Sequence, residues 1–169
     1  VGSEMCIRDR FETIIDYIPA PEGDPEAGTQ VLISTIDYNE FVGRIGVGKI
    51  DNGSLKVNQD CVIVNHHDPD KMKKVKIGKL YVFDGLKRVE VQNATIGEIV
   101  AISGIADLHI GDTLCSPDHV EAIPFQKISE PTIAMHFIVN DSPLAGRDGK
   151  FITSRHLRDR LFKELNTDV

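Results

Sequence analysis

Residues 41–53 read FVGRIGVGKIDNG and alternate between two faces. One face carries Val42, Arg44, Gly46, Gly48 and Ile50, and the other carries Gly43, Ile45, Val47, Lys49 and Asp51. A period of two predicts a strand, and Asn52-Gly53 is a strong hairpin signal. The glycines lie where side chains would crowd a bent sheet. Because VLISTID precedes the stretch and LKVNQDCVIV follows it, we expect the central strand of a β-meander.

Similar short runs continue along the chain between turn signals. The predicted strands are residues 31–37, 41–51, 60–65, 74–83, 86–91 and 97–102, with Thr113-Leu114 closing the set. Many short strands without intervening helices predict a mainly β fold, either a closed barrel or a sandwich. We favour the closed β-barrel because the glycine-bent second strand supplies a corner.

The region before the barrel has a different pattern. Residues 11–18 place Phe11, Ile14, Ile15 and Ile18 at helical spacing, Pro19 ends the predicted helix, and residues 20–28 form a linker. Residues 1–10 (VGSEMCIRDR) lack an apolar period and resemble a translated sequencing adaptor. We therefore interpret them as a non-native tail, with a natural disordered terminus as the alternative.

The region after the barrel again changes pattern. Residues 118–129 read as a linker, residues 132–139 as a strand, residues 140–149 as a loop and residues 153–165 as an amphipathic helix. One strand and one helix do not make a domain. We therefore expect residues 130–169 to be the beginning of a second, incomplete domain, just as the short helix at residues 11–18 lacks its packing partners.

The composition limits the class of protein. The chain has 41% hydrophobic residues and a net charge of −7, which argues against nucleic-acid binding by the whole surface but allows a local basic patch. No apolar run approaches the roughly 20 residues of a membrane span, so we expect no membrane partner. The three separated cysteines predict a reducing, cytoplasmic setting without disulfides.

The run from Gly43 to Lys49 nearly matches the phosphate-loop pattern GxxxxGK. The eighth position should carry a hydroxyl for Mg²⁺, and here it is Ile50. A phosphate loop also needs a helix after it, whereas a turn follows here. We therefore favour a bent barrel strand over nucleotide binding, and no nucleophile constellation points to another active site.

Two further groups could bind a ligand. Residues 65–70 (NHHDPD) gather metal-ligand types, but adjacent histidines point in opposite directions, so we expect no metal site. Basic residues could contact a phosphate backbone or could keep a strand edge and a helix face soluble, and the second alternative is favoured. The candidate RNA or interdomain contacts are Arg44, Lys49, Lys71, Lys73, Lys74, Lys76, Arg155 and Arg158, with Lys79 at the end of the lysine-rich run.

Longer motifs carry a specific resemblance. RIGVGKIDNGSLKVN, beginning at Arg44, resembles the second-domain signature of translational GTPases. Several flanking segments narrow the resemblance to the TypA/BipA family of ribosome-binding GTPases: YIPAPEGD, IDYNEFVGR, VNHHDPD, IGDTLC, SEPT, NDSP, TSRHLRDRL and NTD. The resemblance covers residues 11–169.

The resemblance implies an arrangement of domains. Residues 11–28 would be the last helix of the GTP-binding domain with its linker, residues 29–117 an elongation-factor-Tu-domain-2-like barrel, and residues 130–169 the start of a ferredoxin-like third domain. GTP and Mg²⁺ would bind in the missing first domain, so this fragment would have neither cofactor nor GTPase activity. Its expected partners are ribosomal RNA and proteins and its own missing GTP-binding and C-terminal domains, and we expect a monomer.

The alternatives predict different behaviour. A fragment of such a GTPase should bind ribosomal particles with strong salt dependence and should not bind GTP. A stand-alone nucleic-acid-binding barrel would need aromatic side chains for base stacking, and Phe41, Tyr81 and Phe83 are too scattered for a platform. An enzyme acting through the GxxxxGK-like run would lose hydrolysis on Lys49→Ala.

Overall fold

The computed structural model describes residues 3–147 and 149–167. Ten strands lie between two helices. In chain order the elements are α1 (Ser3–Tyr17), β1 (Gln30–Asn39), β2 (Gly43–Asn52), β3 (Ser54–Lys56), β4 (Asp60–Asn65), β5 (Lys73–Lys76), β6 (Lys79–Asp84), β7 (Lys87–Val91), β8 (Asn93–Thr95), β9 (Ile99–Ser103), β10 (Asp112–Cys115) and α2 (Ser154–Glu164). The prediction of a mainly β fold is confirmed.

Eight of the strands form one antiparallel sheet in the order β5-β4-β10-β1-β2-β9-β6-β7, and β3 pairs with β8. The connection between β5 and β6 joins distant parts of the sheet. Ile77 N–H donates to Gln59 C=O (3.1 Å), next to β4, and Gly78 N–H donates to Ser103 C=O (3.0 Å) in β9. The sheet therefore curls around a core that includes Ile33, Leu80 and Leu114.

The glycine-containing strand predicted at residues 41–51 is β2, which pairs with β1 on one side and β9 on the other. Ile50 is fully buried in the core, while Lys49 beside it is exposed, as the period of two predicts. An extra residue, Ser34, interrupts the register in β1 between Ile33 and Thr35. Such a bulge bends its strand, so the bend in this hairpin comes from β1 as well as from the glycines.

One predicted strand is divided in the structure, and two short strands were not predicted. Residues 74–83 form two strands, because Ile77 and Gly78 leave the ladder to bond with Gln59 and Ser103. The short strands β3 and β8 were missed, since three residues are too few for a periodic signal. The other strands predicted before residue 116 are present with small shifts at their ends.

The predicted strand at residues 132–139 is absent, and this is a correction. Residues 120–141 contain no regular element, and Ile133, Met135 and Phe137 are 60–78% exposed. A strand is held by hydrogen bonds to a neighbour. Within the described ranges no strand pairs with this segment, so the hydrogen bonds that would hold it as a strand are not formed.

The helices differ in how well the sequence predicts them. Helix α1 begins at Ser3 rather than at Phe11, so it continues into the segment interpreted as a non-native tail. Residues 1–2 and 168–169 lie outside the described residues, as does Asp148 in the predicted loop at residues 140–149. Helix α2 confirms the prediction, with Thr153 as N-cap and Leu165 as C-cap. No helix in the part of the chain described above is long and apolar enough to cross a membrane.

Candidate functional site

The GxxxxGK-like run, Gly43 to Lys49, lies wholly within β2 and not in a loop before a helix. Asn52-Gly53 follows it and leads into β3. Ile50, at the position that would need a hydroxyl, is fully buried in the core. Lys49 points to solvent and lies 3.5 Å from the carboxylate of Asp51. This geometry offers no cradle of backbone N–H groups for a phosphate, so the bent-strand interpretation is confirmed.

Arg44 binds two backbone carbonyls. Its Nη1 donates to Leu108 C=O (3.0 Å), and its Nη2 donates to Leu165 C=O (3.4 Å) at the C-cap of α2. The side chain lines a groove of about 380 Å³ with Tyr38 and Asn166. Arg44 therefore contacts other parts of this chain, which fits the interdomain alternative better than a free RNA contact.

Three lysines of the basic run are neutralised by nearby carboxylates. The ammonium groups of Lys71, Lys73 and Lys79 lie 2.9, 2.8 and 3.1 Å from Asp68, Asp107 and Glu90. The hydrogen bonds from Lys71 and Lys73 lower the pKa values of Asp68 and Asp107, and the bond to Glu90 raises the pKa of Lys79. The predicted strand at residues 74–83 would have placed Lys79 on one strand with Lys74 and Lys76. In the structure Lys79 lies on β6 instead.

Lys74 and Lys76 are different because both are exposed and unpaired. They lie on β5, the edge strand, whose only ladder partner in the described ranges is β4. Neither ammonium group has a carboxylate ion-pair partner among these residues. Val75 between them turns inward and packs against the core. The two lysines thus present adjacent positive charges from one rigid strand.

The two arginines predicted on the last helix lie on the exposed surface of α2. Arg155 is 4.0 Å from Asp159, and the guanidinium of Arg158 stacks over the ring of Phe162 at 5.4 Å. A groove of about 500 Å³ runs between α2 and residues 137–139, with Leu157, Leu161 and Leu165 along it. The predicted leucine stripe therefore lies along a shallow apolar groove rather than in a core.

The histidines at residues 66–67 do not converge on a metal site. Both side chains are exposed, and His67 Nε2 is 2.9 Å from Phe125 C=O. Within the described part of the chain no group of three metal-ligand side chains is close enough to hold an ion. The contact of His67 with Phe125 instead links the chain just after β4 to the segment that follows the sheet.

Two further ion pairs connect parts of the chain that are distant in sequence. Lys163 of α2 lies 2.6 Å from Glu40 in the turn between β1 and β2, and this hydrogen bond lowers the pKa of Glu40 and raises that of Lys163. Arg88 on β7 pairs with Asp37 on β1 and lies 5.9 Å from the centre of the Phe83 ring. The two residues of the first pair are 123 positions apart in the sequence, and those of the second pair are 51 apart. No local sequence pattern could therefore reveal either pair.

The predicted basic residues therefore occupy three places rather than one. Arg44 and Lys49 lie on the central strand, the lysines lie on or beside the β5 edge, and Arg155 and Arg158 lie on α2. Arg44 has no carboxylate partner within the described ranges, but its guanidinium is bonded to two backbone carbonyls. Of the candidate residues, Lys74, Lys76 and Arg158 alone have neither a carboxylate partner nor a side-chain hydrogen bond there. These are the cations that an external anion can reach without breaking an existing ion pair.

Comparison with known proteins agrees with this geometry. Residues 43–115 match the family described as elongation factor Tu domain 2. Over 159 residues the chain is 47% identical to the large ribosomal subunit assembly factor BipA of Synechocystis sp., 42% identical to that of Bacillus subtilis and 44% identical to that of Escherichia coli K12. Each alignment covers 94% of this chain and 26% of the relative.

The chain thus spans about a quarter of the length of the curated relatives that it matches. The match to elongation factor Tu domain 2 begins at the first residue of β2 and ends at the last residue of β10. The strand first identified by its alternation and glycines is therefore the strand with which the family match begins. The chain is a TypA/BipA fragment, with an elongation factor Tu domain 2 over residues 43–115.

Proposed function

We propose that this chain is the ribosome-binding and interdomain module of a TypA/BipA-type translational GTPase, acting in ribosome function or large-subunit assembly and in stress adaptation. The observation that carries the proposal is the similarity, along 94% of the chain, to proteins named large ribosomal subunit assembly factor BipA. The partners are ribosomal RNA and protein, which places the module in the cytoplasm.

The domain assignments belong to the same proposal. Residues 11–28 join a GTP-binding domain to the barrel at residues 29–117, and residues 130–169 begin a ferredoxin-like domain. The groove of about 500 Å³ between α2 and residues 137–139 supports the last assignment, because its apolar lining fits further strands of such a domain.

The RNA contact is assigned to the β5 edge. A phosphate backbone is bound mainly through lysine and arginine charges, and a lysine already paired to a carboxylate must break that pair first. Lys74 and Lys76 are exposed and unpaired in the described structure, whereas Lys71 and Lys73 are paired. The unpaired lysines therefore make the phosphate contacts, and the paired lysines shape the groove beside them.

The variant Lys74→Gln/Lys76→Gln tests this contact. Each lost phosphate contact should lower the slope of log Kd against log salt by about one, so we expect a decrease of about two. Binding of the chain to purified ribosomal particles is measured by sedimentation at several salt concentrations.

The matched control is Lys56→Gln/Lys87→Gln. It removes the same charge from exposed lysines on β3 and β7. An equal loss of slope in the control would show that net charge, not the β5 edge, governs the interaction.

Nucleotide chemistry is assigned to residues outside this sequence. In a full-length protein the GTP-binding domain would hold GTP and Mg²⁺, and the central strand would not contact them. We therefore expect no saturable change in the anisotropy of a fluorescent GTP analogue when the purified chain is titrated in. Saturable binding that Lys49→Ala abolishes would instead support the phosphate-loop alternative.

A further inference from the structure

The segment before the sheet is fastened to it along most of its length. Residues 19–28, here called the strap, connect α1 to β1 and contain Pro19, Pro21 and Pro25. Proline fixes its own φ angle and restricts the residue before it. The strap is therefore stiff before any contact with the sheet is counted.

The central contact joins the strap to the hairpin turn at Asn52-Gly53. Asp24 N–H donates to Asn52 Oδ1 (3.1 Å), and Gly53 N–H donates to Asp24 C=O (3.0 Å). The carboxylate of Asp24 also accepts from Glu26 N–H (2.9 Å), which folds the strap locally. Asn52 in turn donates through Nδ2 to Gln30 (2.8 Å), so the turn, the strap and the start of β1 share one network.

Around this network, three glycines allow the strap and the sheet to pack closely. A Cβ atom added at Gly97 would lie 2.3 Å from the ring of Pro21, and one added at Gly53 would lie 2.6 Å from Ala27 C=O. A Cβ at Gly23 would lie 2.4 Å from Asp51 C=O. The strap thus fits into two glycine positions of the barrel and contributes a third glycine itself.

Helix α1 differs from the strap in the part whose burial is described. From Cys6 to Tyr17 its side chains are exposed, so packing on the sheet does not set its direction. Only residues 18–20 lie between the end of the helix and Pro21, and one of these is Pro19. The direction of α1 is therefore set by the strap.

We propose that the strap is a rigid coupling that holds α1 at a fixed angle to the barrel, so that whatever precedes the strap moves with the barrel as one body. The coupling depends on Asn52 and Pro21. It does not depend on ribosome or nucleotide binding, so its test is independent of the proposed function.

The test measures the distance between α1 and the sheet in the full chain. Spin labels are placed at Asp16→Cys on α1 and Lys87→Cys on β7, both exposed, with Cys6→Ser removing the exposed native thiol. Cys61 and Cys115 are buried, and burial raises the pKa of Cys61 to about 11, so neither competes for the label.

The strap variant is Asn52→Ala/Pro21→Gly, and the matched control is Asn93→Ala/Pro131→Gly, which makes the same chemical changes at exposed positions away from the strap. We expect one narrow distance distribution in the parent and the control. In the strap variant the distribution should broaden at least about twofold, because a loosened linker samples many directions.

Hydrogen exchange at Val100 and Ile102 in β9 reports whether the barrel stays folded. If Asn52→Ala unfolds it, Pro21→Gly alone decides the matter, since Pro21 touches the barrel without forming part of its sheet. A broad distribution in the parent would overturn the rigid coupling. So would equal widths in the parent and the strap variants.

Discussion

At the scale of single residues, Gly46 and Gly48 show why β2 contains glycines where other strands carry larger side chains. A Cβ atom at Gly48 would lie 2.2 Å from Leu32 C=O, which is backbone of the paired strand β1. At Gly46 the same atom would lie 2.2 Å from Leu108 Cδ2, the end of a flexible side chain. The backbone cannot move aside without breaking the ladder, whereas a leucine can change its rotamer.

We therefore predict that Gly48→Ala destabilises the chain more than Gly46→Ala. Overpacking of this kind costs about 1–3 kcal/mol, with Gly48→Ala at the upper end. Gly43→Ala is the control, since it has a φ angle of +76° but open space around it, and its strain costs about 1–2 kcal/mol. Urea unfolding measures all three. Equal losses for Gly48→Ala and Gly46→Ala would contradict the close approach of β1 and β2.

The sequence predicted these glycines as relief for a bent sheet, but it could not predict which atoms they avoid. Gly78 and Gly104 illustrate the limit. A Cβ on Gly104 would lie 2.9 Å from Gly78 Cα, so the two backbone segments lie unusually close where the predicted strand at residues 74–83 divides. This close approach depends on tertiary packing between residues 26 positions apart, which no local pattern contains.

At the scale of elements, the ion pair between Asp37 and Arg88 joins strands that are not neighbours in the sheet. Asp37 lies on β1, and Arg88 lies on β7 at the far end of the strand order. The hydrogen bond from Arg88 holds the pKa of Asp37 below its ordinary value of 3.8. The pair therefore reports how far the sheet curls.

This pair predicts a pH dependence of stability. Because the folded-state pKa of Asp37 is depressed, its contribution is fully present above the ordinary pKa and is lost as the pH falls through the folded value. The pair is more than a third exposed, so Asp37→Asn should cost at most about 1 kcal/mol near neutral pH.

Urea unfolding of the parent and of Asp37→Asn from neutral pH down to about pH 2 measures the difference. The difference should shrink as the pH falls below the ordinary pKa of 3.8 and should disappear below the lower folded-state pKa. The control is Asp84→Asn, which removes an exposed carboxylate at the end of β6. A difference that persists unchanged at the lowest pH would mean that charge on Asp37 is not its source.

Elements were predicted well where their periodic pattern and the turn, cap or strand that completes them are close together in the sequence. The hairpin of β1 and β2 follows from alternation and a turn, and α2 follows from its leucine spacing and the Thr153 cap. The strand at residues 132–139 was wrong because alternation states which side chains share a face, not whether a neighbouring strand is present. The early start of α1 has no apolar signal, and the origin of residues 1–10 stays a prediction.

At the scale of the whole molecule, long-range contacts connect the parts that the sequence divides. Arg44 reaches the carbonyl of Leu165, and Lys163 reaches Glu40. The strap contacts the Asn52-Gly53 turn, while Glu121 in the segment after the sheet accepts from Gln30 Nε2 through its carbonyl (2.9 Å). Composition suggested linkers in both places, but it could not show that they are fastened to the sheet.

The same contacts refine the list of candidate site residues. Arg44, Lys49, Lys71, Lys73 and Arg155 have partners within the chain, which a sequence of charges cannot reveal. Lys74 and Lys76 remain available because they lie on an edge strand with one neighbour. The charge of the basic run was thus predictable, and the division between paired and unpaired lysines was not.

The proposed function requires that this chain binds ribosomes through a small set of cations. The most direct measurement is co-sedimentation of the purified chain with ribosomal particles across a series of salt concentrations. The account predicts that the chain sediments with the particles at low salt and is released steeply as salt rises. Absence of binding at low salt, or binding that does not change with salt, would contradict it.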